Sequence, residues 1–233
     1  MTFNLRCDFP LDINNRWKNR RHITYNIIDK YKCDIIGTQE ATENMYKDIK
    51  KNSDNYNIIG TPRSRKFFVE RNDILVKNEN KIIESKTFWL SDTPDTVGSS
   101  KWFSVFPRIC TTAVIELSNK VKIRVCNSHL DCFTSKAREY ELKRLMELIE
   151  EEQIKEDLPI IIMGDFNSGP DSKLIKNLSS GVYGSKKVSA VQEYDKRLYM
   201  NSTMSMFKGK EKGLHIDYIF VSEEFKVNNV EIV

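Results

Sequence analysis

Apolar and polar positions alternate with a period of two over residues 2–5. A helical spacing takes over from 16 to 31, where Trp17, Ile23, Ile27, Ile28 and Tyr31 recur on one face. Residues 33–37 read as a buried strand and 43–51 as a short second helix. Strands are predicted at 56–60, 73–77 and 81–90, and a hairpin at 109–117 and 121–129 around a Ser118-Asn119-Lys120 turn. The pattern over 135–152 is helical, with Ser135 as its predicted cap and Leu142, Leu145, Met146 and Ile149 on the inner face. The unbroken apolar run 159–163 predicts a strand covered on both faces. A helix opens at Asp171-Ser172 and runs to 178, and 216–221 is the last clear strand. Strands outnumber helices, and helices fall between only some of them. That order predicts a layered α/β domain with two packed sheets rather than one doubly wound sheet.

No repeat, proline-rich linker or shift of composition divides the 233 residues, so residues 1–233 are expected to form one domain with its own core. Hydrophobic residues at 39% and charged residues at 30% exclude a disordered or low-complexity chain. No run of about 18 apolar residues exists, which removes a membrane-spanning helix and predicts no membrane partner. The N-terminal MTFNLRCDFP is too polar for a secretory leader, so a cytoplasmic location is expected. Lys and Arg number 37 against 33 Asp and Glu, a net charge of +4 that helps an anion approach without identifying one. The five cysteines contain no CxxC pair, and free, mostly buried thiols in a reducing compartment are expected.

Ionisable or amide side chains repeatedly follow an apolar strand: Asn4, Gln39-Glu40, His129 with Asp131, Asp165 with Asn167, and Asp217. Strand ends that meet on one rim gather such distant residues into a single pocket. Hard oxygen donors with neutral amides suit Mg²⁺, which prefers oxygen and keeps several waters. Each residue alone has a plainer reading. Asn4 can bond its own backbone, Glu40 can complement a helix N-terminus, and Gly164 to Pro170 is rich in turn formers. Yet a carboxylate and an amide two residues apart, at the mouth of a buried strand, exceed what a turn needs.

In this order the segments Thr2-Phe3-Asn4-Leu5-Arg6, Ile36-Gly37-Thr38-Gln39-Glu40, Asn127-Ser128-His129-Leu130-Asp131, Gly164-Asp165-Phe166-Asn167 and Ile216-Asp217-Tyr218-Ile219-Phe220 resemble the endonuclease/exonuclease/phosphatase superfamily. The stretch from Thr87 to Pro94 and the Pro107-Arg108 pair resemble its small bacterial branch. The resemblance implies a four-layer α/β/β/α sandwich of two mixed sheets and a metal-dependent phosphoester hydrolase: a phosphodiesterase, nuclease or phosphatase. It implies Mg²⁺, with Mn²⁺ as an alternative, held by Glu40 with Asn4 beside it and Asp165 close by. Asp165 and Asn167 would hold the attacking water and a phosphate oxygen. His129 would donate a hydrogen bond or proton near the phosphate, and Asp217 would orient a second histidine. Asn4, Arg63, Glu70 and Asn72 are the expected substrate-binding residues, the last two as a Glu-x-Asn pattern of this branch. Arg63, Arg65, Lys66 and Arg71 cluster in one polar segment that either faces the anionic substrate or is simply solvated.

One departure stands out. The family places a Ser-Asp-His motif some tens of residues after the last strand, whereas this sequence ends at Glu231-Ile232-Val233 and holds only His22, His129 and His215. Asp217 is therefore expected to lack its imidazole, the domain to be C-terminally incomplete with its last strand or strands missing, and turnover to be impaired. The alternative expectation is a non-catalytic metal- or phosphate-binding module of the same fold. The substrate is a phosphoester, small molecule or nucleic acid. Ala41-Thr42 after Glu40 differs from the exonuclease III-type pattern, and no protein partner is implied.

Overall fold

A computed structural model of the chain describes residues 1–66, 69–209 and 213–233. In chain order its elements are β1 (Thr2–Asn4), α1 (Trp17–Tyr31), β2 (Ile35–Gln39), β3 (Ala41–Thr42), α2 (Glu43–Asn52), β4 (Tyr56–Ile59), β5 (Glu70–Arg71), β6 (Ile74–Lys77) and β7 (Lys81–Trp89). These are followed by β8 (Ile109–Glu116), β9 (Lys122–His129), α3 (Ser135–Lys155), β10 (Ile160–Asp165), α4 (Lys173–Ser179), β11 (Val188–Ala190) and β12 (Asp217–Ser222). One mixed sheet has the order β1-β2-β6-β4 and a second has β11-β12-β10-β9-β8-β7, while β3 and β5 pair by themselves.

Three apolar clusters follow from the alternation of side chains along these strands. In β2, Ile36 packs outward with Trp17 and Ile28 of α1 and Met45 and Ile49 of α2, while Ile35 packs inward. In β6, Leu75 joins the outer cluster, and Ile74 and Val76 meet Ile115, Ile123, Val125 and Met163 of the second sheet. On the far side of that sheet Cys126, Ile160, Ile162 and Phe220 pack under Leu142, Leu145, Met146 and Ile149 of α3 and Leu174 of α4. Helices, sheet, sheet and helices therefore stack as four layers, with a core in each interval.

Thr134, not Ser135, caps α3: its side chain accepts the Ala137 N–H at 3.1 Å from an extended backbone, whereas Ser135 already lies within the helix. Ser172 caps α4 as its position predicts, accepting the Ile175 N–H at 3.3 Å. Only Cys110 and Cys126 of the five free thiols are buried. Cys7 and Cys33 are half-buried, and Cys132 is exposed in the turn after β9.

Two glycines allow the close approaches on which the site depends. A Cβ on Gly37 would lie 2.8 Å from both Asn127 Oδ1 and Met163 Sδ, between the sheets. Gly164, at φ 145°, brings β10 so near β9 that a Cβ would fall 1.8 Å from the Ser128 carbonyl oxygen.

Candidate active site

Strand direction builds the rim. Parallel pairing sets Asn4 beside Gln39 in the first sheet and Asp165 beside His129 in the second, and antiparallel pairing sets Asp165 beside Asp217. Buried amides join the two rows. Gln39 Nε2 donates to Asn127 Oδ1 at 2.6 Å, and Asn127 Nδ2 donates to the carbonyls of Thr38 at 2.9 Å and Asp73 at 2.8 Å.

At the centre, Asn4 Nδ2 donates to Glu40 Oε1 at 3.0 Å and to Asp165 Oδ2 at 2.9 Å, so the two carboxylates share one amide. Asn4 Oδ1 accepts the Arg6 N–H at 2.8 Å, and Glu40 Oε2 accepts the Cys7 N–H at 3.0 Å. Arg6, Glu40 and Asn167 all adopt positive φ (50°, 61° and 48°), backbone conformations that surrounding contacts must hold in place. Asn167 N donates to Asp165 Oδ1 at 2.9 Å, and its Nδ2 donates both to the Leu130 carbonyl and to His129 Nε2, each at 2.9 Å. Because the carbonyl can only accept, the amide orientation is fixed. His129 Nε2 is then an acceptor, and the neutral ring carries its proton on Nδ1.

The electrostatics agree. Burial, aided by the charges of Arg108 and Arg63, pushes His129 down to about 3. Burial pushes Asp165 up to about 6 against the bonds from Asn4 and Asn167. Burial also opposes the Glu40 carboxylate, while the Cys7 N–H, Asn4 and the Arg6 charge favour its ionised form. Asp217 is raised well above its ordinary value by burial and by the Asp165 charge. Its Oδ1 is buried without a hydrogen-bond partner among the described residues.

The remaining expected residues divide. Buried Arg63 pairs with half-buried Glu70 at 3.0 Å, and their charges and that of Glu40 act on one another. Asn72 is buried and donates to the Ile109 carbonyl at 3.0 Å, a tie between the segment before β6 and the start of β8. Arg71 does not face the rim: it pairs with Asp73 at 2.9 Å, donates to the Gly60 carbonyl and lies over the Tyr46 ring. A guanidinium with a buried carboxylate beside it turns inward, which corrects the basic-segment reading for that residue. Arg65 and Lys66 are exposed. His215 is buried between Gln192 and the Asn201 carbonyl, and His22 is exposed on α1. Arg108, which the sequence offered only as part of a resemblance, is buried at the same end of the second sheet.

A divalent cation fits this donor set in a limited form. Among the described residues no three His, Cys, Asp or Glu side chains are grouped as a protein-only cage. Glu40, half-buried, and Asp165, buried, are nevertheless two carboxylates bridged by a neutral amide, and Mg²⁺ uses one or two carboxylates with several waters. Asn4 Oδ1 accepts the Arg6 N–H and its Nδ2 faces the two carboxylates, and the oxygen keeps a second lone pair.

A cavity of about 570 Å³ adjoins the site, running from Asn4, Gln192, Thr203 and Asp217 past Phe3 and Ile219 to the C-terminal residues.

Comparison with known proteins bears on the family and the fold. A family model described as Endonuclease/Exonuclease/phosphatase family matches residues 1–233. The structure of a Bacteroides thetaiotaomicron mannosyl-6-phosphatase is 29% identical with a TM-score of 0.84, covering 95% of this chain and 84% of that one. An endonuclease/exonuclease/phosphatase structure from Bacteroides vulgatus is 25% identical with a TM-score of 0.78, covering 95% of this chain and 85% of that one. An uncharacterized protein of Acanthamoeba polyphaga mimivirus is 28% identical in an alignment of length 225 that covers 91% of this chain and 82% of that protein.

Proposed function

The chain belongs to the Endonuclease/Exonuclease/phosphatase family, and from that membership we propose that it is a metal-assisted phosphoester hydrolase acting on a phosphomonoester of a small, sugar-like alcohol. The observation that carries the chemistry is the Asn4 amide held between Glu40 and Asp165, with His129 and Asn167 one hydrogen bond away. The substrate class draws its support from the likeness to the mannosyl-6-phosphatase.

Glu40 would hold Mg²⁺ or Mn²⁺, with Asp165 across the Asn4 amide. When bound, the cation offsets charge on the phosphoryl oxygens and makes a nearby water more acidic. Asp165, raised to about 6, orients the attacking water and takes its proton. Asn167 Nδ2 turns its hydrogens from His129 to a phosphoryl oxygen. The neutral His129 can then carry its proton on Nε2, the nitrogen that faced Asn167, instead of Nδ1, and bond the phosphoryl group through that N–H. Arg63 and Glu70 line the approach. Asp217 pairs in register with Asp165 and would orient a hydrogen-bond donor toward the leaving oxygen.

A second reading follows from one observation, the unpartnered Asp217 Oδ1. Without a donor there, the same pocket binds metal and phosphate with little turnover. The deciding assay incubates the full chain with mannose 6-phosphate, p-nitrophenyl phosphate, bis-p-nitrophenyl phosphate and single-stranded oligonucleotides, with Mg²⁺, Mn²⁺ or chelator. Metal-dependent release of phosphate from the monoesters is expected. Binding of Mg²⁺ and inorganic phosphate without product from any substrate would replace hydrolysis with the binding role, and the absence of both would end the proposal.

A further inference from the structure

Arg108 immediately precedes β8, and β8 pairs Cys110 with Ser128 of β9. Continuing that register sets Arg108 beside Leu130, the residue after His129. Its side chain is as enclosed as the catalytic rim itself: Arg108 is 4% exposed and His129 6%. A buried guanidinium is costly unless its five N–H donors are matched. Here the matches are poor. The nearest carboxylate oxygen, Asp131 Oδ2, lies 3.9 Å from Nη2, beyond a hydrogen bond, and the Cys132 sulfur lies 3.7 Å from the same nitrogen. Arg108 Nε and Asp131 Oδ2 are both buried without a hydrogen-bond partner among the described residues.

Asp131 is not free to close the gap. Its Oδ1 accepts the Phe133 and Thr134 N–H groups, both at 2.8 Å. Its own N–H donates to Glu141 Oε2 at 2.8 Å, while Glu141 Oε1 accepts from Ser104 Oγ at 3.0 Å. The frame is fixed around a cation with unused donors. The field of that cation reaches the reacting groups, since it disfavours a charged His129 and favours a charged Asp165.

The geometry points to Arg108 as a substrate-binding residue of this site, the planar donor that meets the non-bridging oxygens of the phosphoryl group. Arginine suits that task because its fork matches two oxygens of one anion at once, which lysine cannot do. The inference rests on the phosphoester reading for its location, but it predicts anion binding that can be measured apart from turnover.

The test uses the full chain with saturating Mg²⁺ and inorganic phosphate as the probe, by calorimetry and, where turnover is present, by product inhibition. In Arg108→Gln the phosphate dissociation constant should rise about 10- to 100-fold, with Mg²⁺ affinity unchanged. Arg108→Lys keeps the charge but not the fork and should fall between. Unfolding scans identify a variant that has not folded, and Arg108→Lys then carries the result. Wild-type phosphate affinity in any folded variant overturns the inference even if the enzyme is active. Conversely, a wild-type chain that binds phosphate through Arg108 but cleaves no phosphoester retires the hydrolase reading and leaves this assignment standing.

Discussion

Individual residues at the rim have separable jobs, and each has its own measurement. Asp165→Asn keeps the Asn4 contact but removes the base, so kcat should fall about 10²–10⁴-fold with a much smaller change in KM. Glu40→Gln removes the carboxylate most able to remain charged. Mg²⁺, which stabilises whatever state binds it, should raise the melting temperature of the wild type and have little effect on this variant. Equal metal-induced shifts in the two would place the cation elsewhere. Asp217 offers a sharper case, because its buried Oδ1 has no hydrogen-bond partner among the described residues and the residue lines a cavity of about 570 Å³. Millimolar imidazole, small enough to enter that space, should raise kcat of the wild type and leave Asp217→Asn unmoved. Parallel responses would sever Asp217 from any such donor.

At the scale of elements, the long periodic segments were legible because one physical signal dominated each. The apolar run of β10 and the helical spacing of α3 both reflect burial of a whole face. Asn4, Glu40, His129, Asp165 and Asn167 were found together because each ends or follows such a strand, and the structure gathers them within hydrogen-bonding reach. What escaped has little local signal. β3 and β5 have two residues each and β11 three, too short for periodicity to appear. The Gln39–Asn127 bridge and the fixed Arg108 frame depend on contacts between residues far apart in sequence, and the inward turn of Arg71 toward Asp73, two residues on, is completed by the Gly60 carbonyl and the Tyr46 ring. The bridge yields a stability prediction. Asn127→Ala strips three buried hydrogen bonds between the sheets and leaves their partners unmatched, so urea unfolding should report a loss of about 2–4 kcal/mol. A change within experimental scatter would show that the sheets dock on apolar contacts alone.

For the whole molecule, the balance of buried titrating groups decides how stability depends on pH. Glu141 is 1% exposed and joins α3 to both loops that frame the rim, through Ser104 and Asp131. Burial pushes its carboxyl up from 4.5 to about 7, although Arg108 and the two hydrogen bonds favour the charged form. Below pH 4.5 the carboxyl is protonated in both folded and unfolded chains and costs nothing. As pH rises toward 7 the unfolded chain gives up this proton first, so stability falls, and above 7 the penalty levels off at about 3 kcal/mol. Asp73, raised to about 6 by burial, acts in the same direction at lower pH. His129 acts oppositely: its ring is held down to about 3, so acid below about 6.5 favours the unfolded chain. Acid and alkaline losses thus come from different residues, and one substitution separates them. Glu141→Gln can still accept the Asp131 N–H and reach Ser104, but it cannot ionise. Between pH 5 and pH 8 the wild type should lose about 2–3 kcal/mol more than this variant, read from urea midpoints at a common m-value. The two chains should meet again near pH 4, where the acid is neutral and the substitution changes no charge. Parallel curves across the whole range would mean that Glu141 enters the folded state already ionised, with Arg108 as its counter-charge.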